Sequence, residues 1–104
     1  MLYNITELLG EVVTLKTTKG DEIIATLLGF DKETDTMTLG YPKIVVVAGD
    51  TVALAPFALT ARADTIITEG KQFLAVMETL ASTVADYNDL ITEQKALEAA
   101  SDEG

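Results

Sequence analysis

Residues 11–31 read EVVTLKTTKGDEIIATLLGFD, and the fold class follows from how they alternate. From Glu11 to Lys19, Val13, Leu15 and Thr17 point one way and Thr14, Lys16 and Thr18 the other, the pattern of a half-buried strand. Lys19-Gly20-Asp21 makes a turn. Glu22 to Phe30 is a second strand with apolar residues on both faces, so neither face is freely solvated. Gly29 near its end predicts a bend or bulge.

The same rhythm continues in both directions. Gly10, Gly20, Gly29, Gly40 and Gly49 fall nine to eleven residues apart, with segments rich in Val, Ile, Leu and Thr between them. Short strands at that spacing predict an antiparallel meander closing into a small barrel or sandwich. Upstream, Asn4 is placed to cap a short helix, with Glu7 three residues on, Ile5, Leu8 and Leu9 on one face, and Gly10 just past the end. Downstream, Asp31 to Asp35 is a polar loop. Thr36 to Leu39 opens a third strand, interrupted by Gly40-Tyr41-Pro42 and continued by Lys43 to Val47. After the turn Ala48-Gly49-Asp50, a fourth strand runs from Thr51 to Ala61, with Pro56 marking an edge or bulge. Asp64 to Thr68 and Phe73 to Met77 complete the β part. From about Leu80 the period changes: Leu80, Val84, Tyr87 and Ile91 recur at helical spacing among Ala, Glu, Gln and Lys, which predicts a helix of about five turns. Ser101 to Gly104 is expected to fray. The chain is therefore expected to hold a barrel domain with its N-terminal helix at 1–78, and at 79–104 a helix and acidic tail that belong to it or serve as a partner-binding appendage.

Composition narrows the function. The chain has 104 residues, no Cys, no His and no Trp, and seventeen acids against seven bases give a net charge of −10. Disulfides, thiolate metal sites and Cys or His catalysis are excluded. Serines occur only at 82 and 101, and Ser82 sits where a helix cap is expected. Arg62 is the only arginine and the seven glycines are spread out, so neither an arginine phosphate clamp nor a glycine-rich phosphate loop is present. An enzyme is not expected, nor any cofactor. Asp31, Glu33 and Asp35 match the start of a calcium loop, but Thr36 and Pro42 stand where that loop needs Gly and Glu, so no metal site is expected. The acidic balance disfavours DNA and RNA backbones. Met1 to Asn4 carries no basic residue, and the strongly apolar run Ile44 to Gly49 is too short to span a bilayer as a helix. A cytoplasmic protein with no membrane partner is expected.

The strand pattern resembles the Sm-like family, which includes the Sm, LSm and Hfq proteins. Val13-Thr14-Leu15-Lys16 begins the first Sm motif, Gly20 occupies its turn glycine, Leu27 matches, and Phe30-Asp31 matches the residue pair before the loop. Ala25 replaces the usual strand glycine, and Thr34-Asp35 stands where Met-Asn is usual. Ala61-Arg62-Ala63-Asp64-Thr65-Ile66 resembles the second motif, apolar-Arg-Gly-x-x-apolar. In the other register, Phe73 to Met77 is the last barrel strand and residues 61–64 form a loop. The Gly-Tyr-Pro and Ala-Pro-Phe interruptions and the C-terminal helix are similar to divergent Sm-like proteins of cyanophages and other tailed phages. SH3-like and oligonucleotide-binding barrels share the general pattern.

The resemblance implies a five-stranded, strongly bent antiparallel barrel with a short N-terminal helix and a long C-terminal helix. It also implies a homo-oligomeric ring of about five to seven chains, since head-to-tail edge pairing closes when the rotation allows. The positions equivalent to RNA-contacting ones are Glu33, Asp35 and Arg62. Glu33 cannot stack a base, and Asp35 lacks the donors of Asn, so RNA is not the expected partner. Interface candidates are Val52, Leu54, Phe57, Leu59 and Ile66 on the strands, and Leu80, Val84, Tyr87 and Ile91 on the helix. The reading favours a scaffold or protein-interaction ring of phage origin, with an RNA-binding ring as the alternative.

Overall fold

The structure, a computed structural model, describes residues 5–57 and 64–103, and within these the side chains of Thr6 and of residues 98–103 are left aside. Six strands form one antiparallel sheet: β1 (Val12–Thr17), β2 (Glu22–Asp31), β3 (Thr36–Ala48), β4 (Thr51–Pro56), β5 (Thr65–Glu69) and β6 (Phe73–Glu78). Their order is β4-β3-β2-β1-β6, with β5 also on β3. The helix α1 spans Ala81–Glu103.

The expected N-terminal helix is not formed among the described residues. Ile5–Leu8 is a single 3-10 turn, because one turn cannot recover the cost of nucleating an α-helix. Its anchor is Ile5, buried in the core, and Leu8 packs beside it. Asn4, the expected cap, lies outside the described residues.

The sixth strand has a simple origin. Lys43–Ala48 of β3 pairs with Thr51–Pro56, and Thr36–Gly40 of the same strand pairs with Thr65–Glu69. β4 and β5 thus occupy successive halves of one edge of β3, and this sharing gives six strands where the resemblance implied five. The expected fourth strand is formed from Thr51 to Pro56, the proline lies on an edge strand as expected, and residues 58–61 lie outside the described residues. Phe73–Glu78 pairs with β1, so the last barrel strand is supplied by the second of the two registers the sequence allowed.

β3 is not interrupted at Gly40-Tyr41-Pro42; it runs through as 13 residues with an extra residue there opposite β2. The bulge is achieved by Tyr41, whose φ of 47° is left-handed, a conformation that costs a bulky residue energy. A second bulge falls at Leu28, next to the Gly29 that predicted it. Both lie where the sheet must bend.

Val13, Leu15, Ile23, Ala25, Leu27, Met37, Leu39 and Val76 close the core, with Phe30, Phe57, Ile66 and Phe73 packed against it. The strand alternation of β1 reads directly onto this: Val13 and Leu15 are fully buried. Ile24 and Thr26 face the other side of β2, and α1 lies there. It is longer than five turns and extends through Glu103, so the last residues continue the helix where fraying was expected.

Candidate functional site

Three places on the barrel carry its functional groups: the helix-covered outer face, the loop end, and the free strand edges.

On the outer face, Tyr87 is completely buried. Its hydroxyl donates to the Gly40 carbonyl at 2.7 Å. A phenol has one proton, so the 3.0 Å contact with Thr26 Oγ1 is a bond in which the threonine donates. Burial raises the phenol pKa above its ordinary value, against the opposing effect of the Thr26 bond. Around it, Thr79 Oγ1 meets Thr14 Oγ1 at 2.9 Å, Lys43 Nζ donates to Gln94 Oε1 at 2.6 Å, and Lys95 Nζ sits 5.3 Å from the centre of the Tyr41 ring. Of the helix candidates, Tyr87 is therefore occupied by its own barrel. Val84 and Ile91 are half-buried, and Leu80 is 76 % exposed.

At the loop end, Asp31 Oδ1 accepts the N–H groups of Glu33 (2.9 Å) and Thr34 (3.4 Å), which fixes the β2–β3 turn. Asp35 adopts φ 51°, which a short polar side chain tolerates. Its carbonyl accepts the N–H of buried Gly70 at 2.7 Å, tying this turn to the β5–β6 connection Gly70–Gln72. Asp35 thus comes together with Glu69 and Lys71, while Glu33 is held in the turn by Asp31. Arg62 and Leu59 lie outside the described residues. Thr68-Glu69-Gly70-Lys71-Gln72-Phe73, between the last two strands, keeps only the glycine and the final apolar residue of the second motif, with Glu69 where the motif has Arg. Lys71 is bound to Glu69 at 2.9 Å. That hydrogen bond first, then the charges of Glu69 and Asp35, raise the Lys71 pKa. Asp31, Glu33, Asp35 and Glu69 outnumber Lys32 and Lys71 here. Among the described residues, no three acidic side chains are grouped to hold a metal ion.

The edges follow from the alternation of ladder bonds. Tyr41 N–H donates to Asp64 C=O and Gly70 N–H to Asp35 C=O, so Asp64, Ile66, Thr68 and Gly70 turn toward β3. The backbone groups of Thr65, Ile67 and Glu69 therefore turn outward. Thr17 N–H donates to Asp21 C=O, which directs Thr14 and Lys16 toward their β6 partners Met77 and Ala75. Val76 and Glu78 then face outward, and Leu74 is the bulge residue without a partner on β1. Ile67 is 74 % and Leu74 67 % exposed. Neither was singled out by sequence; their signal is the alternation of Ile66 with Ile67, which places one inside and one out. Of the strand candidates, Ile66 and Phe57 are half-buried against the core, while Val52 and Leu54 lie on β4.

The P. aerophilum SmAP1 heptamer has a similar structure: TM-score 0.53 over 75 % of this chain and 90 % of that one, at 17 % identity. The fold is Sm-like. No protein-family model matches the sequence, and no curated protein matches it. The Sm-like fold here carries two departures from the expected form, a sixth strand and the 3-10 turn in place of a helix. Among the described residues, no helix is long and apolar enough to cross a membrane.

Proposed function

We propose that the chain is a non-enzymatic Sm-like subunit that assembles head to tail into a ring of about five to seven copies and acts as a protein-interaction scaffold. The observation that carries this is the pair of edges, β5 and β6, that have no strand neighbour among the described residues, each with an exposed apolar residue, Ile67 and Leu74. Unpaired edges of this kind are satisfied by strand pairing between molecules. The likeness to a protein that crystallised as a heptamer supports the same reading. Light scattering at micromolar concentration should give a discrete mass of about five to seven chains. Ile67→Glu, at a site exposed in the single chain, should give a folded monomer. A wild-type monomer at every accessible concentration would remove the ring.

RNA binding is the second reading, favoured by the fold alone. The loop end argues against it, since Glu33, Asp35 and Glu69 would repeat in every subunit of a ring. Binding to uridine-rich single strands should be undetectable at about 0.15 M salt, where the Debye length is about 8 Å. Glu33→His with Asp35→Asn should raise it. Tight wild-type binding lost in Arg62→Ala would reverse the order of the two readings. The resemblance to tailed-phage proteins supports a phage origin and, with it, the cytoplasm of the host cell.

A further inference from the structure

The β4 edge differs from the two edges assigned to assembly. The bond pattern propagates from Thr17–Asp21 across β2 and β3: Glu22 and Ile24 turn to β3, Lys43 and Val45 to β2, and Ile44, Val46 and Ala48 to β4. Thr51, Ala53 and Ala55 answer them. Val52, Leu54 and Pro56 consequently point their backbone groups away from the sheet. Pro56 has no N–H and closes the far end, leaving Val52 and Leu54 as a docking stretch with no strand neighbour among the described residues. Val52 is 66 % exposed, and β4 carries no charged residue to guard its edge, a pattern that stays soluble when something covers it.

What lies over this edge indicates the occupant. Val52, Ala53 and Leu54 share a groove of about 330 Å³ with Asp86, Asp89 and Leu90 of α1. Both aspartates are exposed, and among the described residues neither has a lysine within ion-pair distance. Val52 and Leu54 are on the α1 side of the sheet, because they pair with Val47 and Val45, which share that face with Lys43 and its partner Gln94. In a strand added antiparallel to β4, the residues bonded to Val52 and Leu54 would show their side chains on this same face, toward the two carboxylates. We infer that the β4 edge, beneath Asp86 and Asp89, takes an extended basic segment of a partner protein by strand addition, with Lys or Arg at alternate positions. A second copy of this chain fits less well. Its free strand β6, FLAVME, offers no base and ends in Glu78.

The test uses a fluorescein-labelled, amidated hexapeptide of alternating lysine and valine, titrated by anisotropy against the full chain. Saturable binding that weakens with salt is expected, and no binding of the same peptide with glutamate for lysine. Asp86→Asn with Asp89→Asn, two exposed changes, should weaken binding about tenfold. Methylating alternate backbone nitrogens of the peptide should abolish it in one of the two phases, with the protein untouched. Equal binding of the glutamate peptide, of both methylated peptides, or by the double variant would overturn the inference. So would dissociation of the oligomer by the peptide, since that would make β4 a contact between copies. Ile67→Glu should bind the peptide as wild type does, so loss of the ring and loss of this site are read separately.

Discussion

Removing the hydroxyl of Tyr87 tests how the helix is held. In Tyr87→Phe the ring still fills its site, but the buried Gly40 carbonyl loses a 2.7 Å donor and Thr26 Oγ1 loses its acceptor. Of the two bonds lost, the buried one to Gly40 leaves a carbonyl unsatisfied and carries most of the cost, about 1–2 kcal/mol. Tyr87→Ala also removes a fully buried ring, and by analogy with large-to-small core changes the total rises to about 3–5 kcal/mol. That loss is capped by the free energy of docking α1, because the helix can leave while the barrel core stays closed. Urea unfolding at fixed protein concentration, followed by helical circular dichroism, gives the totals; limited proteolysis within α1 reports the undocking. Thr26→Val completes a double-mutant cycle, in which the two changes should be less than additive by about 1 kcal/mol. Tyr87→Phe within about 0.3 kcal/mol of wild type, with α1 no more sensitive to protease, would refute the hydroxyl as the anchor. A cost below about 1 kcal/mol for Tyr87→Ala would refute docking itself.

Raising the pH tests the same tyrosine. Its pKa is raised on folding, so the stability it contributes is complete below about pH 10 and is lost above that as the unfolded chain gives up the proton first; Tyr87→Phe should flatten this alkaline decline in a pH series of urea midpoints. Gly20→Ala should cost about 1 kcal/mol although no atom lies within 4 Å of its Cβ position, because φ is +96°. Gly29→Ala should be close to neutral in the same melts, since its Cβ would make only ordinary contact with Thr38, at 3.7 Å. Tyr41→Gly should be more stable than Tyr41→Ala by about 1 kcal/mol, since only glycine is free of strain at φ 47°; equal stability would mean that the bulge relaxes. Assembly should strengthen with added salt, measured by light scattering, because subunits of charge −10 repel one another.

Strands β1 and β2, the turn at Gly20 and the core face of β1 were legible from local sequence. Val13 and Leu15 alternate with polar residues, and burial on one side of a pleat leaves no other register. The change from period 2 to helical spacing near Leu80 was equally legible, because both periods are local backbone geometry. The Tyr87 site was legible only as an apolar stripe. Its two partners lie 47 and 61 residues away, and no local pattern records which carbonyl a phenol will reach. That β4 and β5 share one edge was decided by β3, whose left-handed Tyr41 separates the stretch paired with β4 from the stretch paired with β5. For the same reason the loop partner of Asp35 turned out to be Gly70, a choice fixed by which strand lands beside β3. Free edges are the extreme case: whether Ile67 or Val52 is covered depends on which strands are left without a neighbour, a property of the closed sheet that no single segment carries.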